Sequence, residues 1–156
     1  MDRRVSFFLI GCLSSFVWAS AAAQTAINGH INGVEYCFQS IPQCGQAEFI
    51  GTFTGTINGN DTTAVFIAKV SHADLNYTTP PYVTTVTGGE WSLYNLDTTI
   101  KGTVANGGTL KYHKNNNTFT VDLTLPIEGS SSTAMFDGTL NHNVFPPTAT
   151  GRLRSK

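Results

Sequence analysis

The chain has 156 residues, with 9 Lys and Arg against 10 Asp and Glu and a formal net charge of −1. That length allows one domain with a real core, not two. So even a charge balance, with no basic run, argues against nucleic-acid or anionic-membrane partners.

The first 23 residues read as three zones. Arg3 and Arg4 outweigh Asp2, residues 5–18 carry no charge, and Ala21 and Ala23 form a small-x-small cleavage site. That order defines a secretory signal peptide, removed after Ala23 to leave Gln24 as the new N-terminus. The uncharged run of 14 residues falls short of the roughly 20 needed to span a bilayer, so no transmembrane segment is expected after signal removal. Leu9-Ile10-Gly11-Cys12 loosely resembles a lipoprotein box, but more apolar sequence follows it, and Cys12 is read as an ordinary signal residue. The expected location is secreted or periplasmic.

Residues 24–156 are expected to form a single all-β domain. They carry seven Lys and Arg and nine Asp and Glu (7 − 9 = −2), with 22 Thr and 12 Asn. Thr favours strands and Asn favours turns. Cys37 and Cys44 are the two cysteines left after signal removal, and an even count in an exported chain implies a disulfide. Their C-x6-C spacing suits a structural staple better than a redox motif.

No segment after the signal shows helical periodicity, whereas period-2 alternation recurs. Strands are predicted over residues 34–39, 47–57, 62–70, 82–87, 90–94, 98–104, 109–114, 118–125, 133–140 and 148–153. In residues 118–125 the alternation sends Phe119, Val121, Leu123 and Leu125 to one face and Thr118, Thr120, Asp122 and Thr124 to the other. Phe136 belongs to the same apolar class. Turn residues lie between the runs: Asn32-Gly33, Asn58-Gly59, Gly88-Gly89, Asn106-Gly107-Gly108 and Asn115-Asn116-Asn117. The pattern predicts an all-β fold, a small antiparallel β-barrel or β-sandwich of about nine or ten short strands. An apolar-x-Gly-x-apolar pattern recurs around Gly29, Gly55, Gly102, Gly138 and Gly151. It puts glycine on the core face, leaving room for a large side chain from another strand.

No constellation of catalytic or metal residues is assigned, and no cofactor is implied. His30, His72, His113 and His142 lack ligand spacing. His72-x-Asp74 resembles a base and its orienting carboxylate, but no nucleophile motif accompanies it. The acids are scattered singly, and a hairpin turning at Asn116-Asn117 would set Asp122 opposite Lys111 as an ordinary cross-strand pair. The three N-x-Thr sequons at Asn60, Asn76 and Asn116 lie near turns.

Aromatics beside prolines carry the functional expectation. Tyr77 and Tyr82 flank Pro80-Pro81, Phe145 precedes Pro146-Pro147, and Trp91 alternates with Leu93. Such residues stack on a ligand while proline cuts the ordering cost of binding. The favoured reading is an exported, non-enzymatic β-domain binding a neutral glycan or small amphipathic molecule through Tyr77, Tyr82, Trp91 and Phe145. The alternative is a small β-barrel enzyme with a polar site in the barrel mouth. An outer-membrane barrel is disfavoured because the predicted strands look shorter than the 9–11 residues that span.

Overall fold

The computed structural model describes residues 24–37, 45–74, 80, 82–115, 118–129 and 132–156, omitting the side chains of Asn115, Thr118, Phe119 and Ser132. Among the described residues nine strands form one antiparallel sheet: β1 Ile27–Cys37, β2 Gln46–Ile57, β3 Asn60–His72, β4 Tyr82–Tyr94, β5 Thr99–Val104, β6 Thr109–Asn115, β7 Thr118–Gly129, β8 Ser132–Asn141 and β9 Thr148–Ser155. Each pairs with its sequence neighbour or its neighbour but one, and β1 pairs with β9 to close the barrel. The fold is an eight-position up-and-down barrel with one extra strand. β5 and β6 share one position end to end: β5 pairs with the second half of β4, β6 with the first half, and both with β7. Closure leaves no sheet edge to template aggregation.

Alternation decides which side chains fill this barrel. Ile27, Ile31, Phe49, Phe53, Phe66, Val70, Leu93, Val121, Leu123, Leu125, Ile127, Phe136, Leu140 and Leu153 are all buried. Phe66 of β3 and Phe136 of β8 come from opposite walls and meet with ring centroids 5.4 Å apart. The barrel waist is therefore packed side chain, not a cavity. The expected core positions Val121, Leu123 and Phe136 hold; the Phe119 side chain lies outside the described residues.

The glycine pattern supplies the room for these rings. A Cβ on Gly29 would stand 2.6 Å from Phe53 Cζ, and one on Gly151 would stand 2.7 Å from Phe136 Cζ. Each aromatic ring thus lies flat over a glycine of the adjacent strand, the close approach that glycine permits.

Four sequence expectations are corrected. Gly88-Gly89 is not a turn: both lie inside β4 with φ of 147° and 152°, where β3 slips register between Ser71 and His72, so the two predicted strands are one bulged strand. Asn32-Gly33 lies inside β1, with Gly33 inward against Gly51. Residues 105–108 interrupt one strand position without reversing the chain. That interruption also explains why β7 runs on through Pro126. β7 pairs with β6 at Thr124 and with β5 at Ile127, so Pro126 faces the gap, where its missing N–H removes no ladder bond. Finally, most strands run to ten or more residues rather than being short, so length does not argue against spanning a membrane.

Candidate functional site

The two ends of the barrel differ. One end has the tight connections: residues 58–59, 95–98 and 130–131, with the start of β1 and the end of β9. The other has residues 38–45, 73–81, 116–117 and 142–147. These are called the turn rim and the loop rim. Binding residues concentrate on longer loops held by a rigid scaffold.

At the loop rim the inward positions turn polar. Glu35 takes the interior parity of β1, opposite Phe49, yet is a carboxylate and only 7% exposed. Its Oε2 stands 2.9 Å from Nε2 of His142, the residue following β8, without the alignment of a hydrogen bond. The Glu35 amide donates to the Pro147 carbonyl at 2.8 Å. Segment 142–147 is thus tied to β1 at both ends. Across the mouth, buried Thr84 donates its hydroxyl to the Ala73 carbonyl at 2.6 Å, and His72 Nδ1 lies 2.8 Å from the same oxygen. Burying a carboxylate is costly unless an opposite charge or donors meet it. Placing Glu35 there makes sense only with His142, and the two lie 107 residues apart in sequence (142 − 35 = 107).

The four sequence-predicted binding aromatics have separate fates. Phe145 is 98% exposed on segment 142–147. Tyr82 opens β4 at the loop rim, half-buried and paired in register with Tyr112. Tyr77 lies outside the described residues. Trp91 lies nine residues farther along β4, toward the turn rim, and is 2% exposed. At about 3.3 Å per residue that is roughly 25–30 Å from Tyr82. The Trp91 indole donates to the Glu128 carbonyl at 3.1 Å, crossing Gly102, which separates the two strands in register. Trp91 is a core residue with its one donor satisfied. Thus the fold brings Tyr82 and Phe145 to one rim and leaves Trp91 outside it.

No family model matches the chain, no curated protein matches it, and no solved structure matches it. The chemistry must be read from the side chains themselves. Among the described residues, no group of three His, Cys, Asp or Glu gathers as a metal set would require. Cys37 ends β1 on the interior parity, opposite Ala47, while Cys44 lies outside the described residues. The His72-x-Asp74 reading gives way to the Ala73 contact above. His113 Nε2 lies 2.8 Å from Asp122 Oδ2 on the wet outer wall, beside Lys111 as the hairpin register expected.

Sequence reading missed the Glu35–His142 pair. The available signal was Glu35 itself: by alternation with the apolar inward positions of β1 it falls on the core face, where a carboxylate demands a partner.

Proposed function

We propose that this is an exported, non-enzymatic barrel that binds a neutral glycan or small amphipathic ligand at the loop rim, through Tyr82 and Phe145, with Tyr77 on the same β3–β4 connection. One observation carries this reading. Phe145, an almost fully exposed aromatic, sits on a segment braced to the barrel wall by Glu35, above a waist too densely packed to admit a ligand. An exposed ring on a segment tied down at both ends lowers the entropic cost of stacking. Export through a cleaved signal, a secreted or periplasmic location and a Cys37–Cys44 disulfide belong to the same reading. The alternation supports an aqueous setting. From β6 to β9 the outward positions carry Thr, Asn and charge while the interior is apolar, the reverse of a barrel facing lipid on that side.

The test is a glycan and metabolite array on the chain starting at Gln24, repeated with Phe145→Ala, Tyr82→Ala and Tyr77→Ala. Binding lost in these variants, with unfolding temperature unchanged, supports the site; binding that survives all three removes it. Intact mass and thiol labelling of the secreted protein check Gln24 as first residue and the absence of free thiols.

A second reading, the mouth as an enzyme site, is favoured by the buried carboxylate–imidazole pair alone, a geometry suited to holding a base. Turnover of an array hit, abolished by Glu35→Gln, would favour it over simple binding.

A further inference from the structure

The outer wall has two unlike halves. From β6 to β9 the outward positions are polar: Lys111, Asp122, Thr139 and Thr150 form one cross-strand row. From β1 to β3 one outward row turns apolar among polar neighbours. Val34, Ile50 and Ile67 form one row by register. Tyr36 stands beside it at 46% exposure and Tyr94 at 39%. Neighbouring rows of the β2–β3 hairpin pair Glu48 with Lys69 and Thr52 with Val65. Beyond β3 the wall dips into a groove of about 630 Å³ lined by Ile67, Lys69, Glu90, Ser92 and Lys101.

We infer that this wall is the contact face of a homodimer, with a second copy of this chain as its occupant. The argument is complementarity under a two-fold axis. An axis parallel to the strands sets β2 of one copy against β3 of the other. Glu48 then faces Lys69 of the second copy, Ile50 faces Ile67, and Thr52 faces Val65, each contact made twice. Glu48 meets Lys69, which also holds Glu90 of its own chain at 3.1 Å, and Ile50 meets Ile67. The same operation turns Tyr36 of the second copy toward the groove. Two convex barrels touch mainly along β2 and β3, which keeps the buried area at the low end for a specific interface. The dimer is therefore weak and reversible, with a Kd of roughly 10–100 μM. It does not depend on the ligand reading, since the wall and the loop rim are separate surfaces.

Sedimentation equilibrium on the chain from Gln24, across that concentration range, reads the dimer directly. Ile50→Asp is expected to raise Kd about tenfold or more. Glu48→Lys puts Lys against Lys69, and Lys69→Glu puts Glu against Glu48, so each variant alone should be monomeric. Mixed together they restore both opposite-charge contacts and should form a heterodimer. These exposed substitutions leave the core untouched, and unchanged circular dichroism verifies it. A wild-type chain that stays monomeric throughout the range overturns the inference, as does a dimer indifferent to Ile50→Asp. Charge variants that fail to complement on mixing refute this axis.

Discussion

The loop rim and the turn rim are built on the same strands, yet they solve opposite problems. At the turn rim the chain reverses in few residues, and side-chain oxygens cap its backbone amides. Asn95 Oδ1 accepts from the amides of Asp97 and Thr98 at 3.0 and 2.9 Å, and Asn58 Oδ1 accepts from the Ala26 amide at 2.9 Å. Asn58 and Gly59 supply the positive φ that a two-residue turn requires. At the loop rim long-range pairs do the work instead: Glu35 with His142, and Glu35 N–H with Pro147 C=O. A short turn is capped by one side-chain oxygen; the 142–147 connection is in addition held by Glu35, from another strand. The difference teaches where function has room to sit, because the most exposed ring among the described residues, Phe145, stands at the braced end.

The largest expected effect tests whether the two rims share one core. Phe136 reaches from β8 to Phe66 on the far wall and lies over Gly151. Phe136→Ala should cost about 3–5 kcal/mol in denaturant unfolding, through lost transfer energy and the cavity left behind. A single cooperative transition should persist, with both rims lost together. Two separated transitions would break the comparison, since each rim would then be an independent unit.

Next comes the brace itself. Glu35→Ala removes one partner of a buried pair and leaves His142 facing an empty position. It should cost about 2–3 kcal/mol. Asn95→Ala at the turn rim should cost only about 1 kcal/mol, because water replaces the two lost bonds. Equal costs at the two rims would deny the loop rim its special dependence on long-range pairing.

The same contrast explains what was legible in sequence. The all-β class, a barrel or a sandwich, the buried faces and the glycines beneath aromatic rings follow from period-2 alternation, which is local. For Trp91, alternation says only that it faces inward. That its indole spans Gly102 to reach Glu128 depends on β5 lying between β4 and β7. Gly88-Gly89 looked like a turn because positive φ serves a bulge as readily as a hairpin. The site was least legible, since Glu35 and His142 meet only through the β1–β9 and β8–β9 pairings that close the barrel.

A smaller effect is expected at the tip of the braced segment. Phe145 is almost fully exposed, so Phe145→Ala should shift stability by less than about 0.5 kcal/mol. Under the proposed function it should nevertheless lower ligand affinity about tenfold or more, a loss of stacking area that calorimetry would read. A large stability loss without a change in binding would make the ring structural and weaken the contrast between rims.

The smallest effect compares two exposed ion pairs, one nearer each rim. Lys69 Nζ lies 3.1 Å from Glu90 Oε1, just beside the β4 bulge on the loop-rim side. Arg154 and Asp137 stand 2.9 Å apart on β9 and β8, toward the turn rim. The Glu90 carboxylate, by hydrogen bond and charge, and Glu48 behind it hold the Lys69 ammonium above its ordinary value of 10.5. A raised value in the folded state means the pair's contribution is complete below the unfolded value. It is lost as pH climbs through the folded one. Arg154 stays charged throughout that window. Glu90→Gln should therefore lower the unfolding temperature slightly at neutral pH and low salt, less so as salt screens the pair. That difference should disappear once pH passes well beyond 10.5, while the small effect of Asp137→Asn persists. Thermal unfolding of the two variants against wild type across this alkaline range separates the cases. If both differences vanished together, general alkaline loosening of the barrel, rather than Lys69 deprotonation, would be the cause.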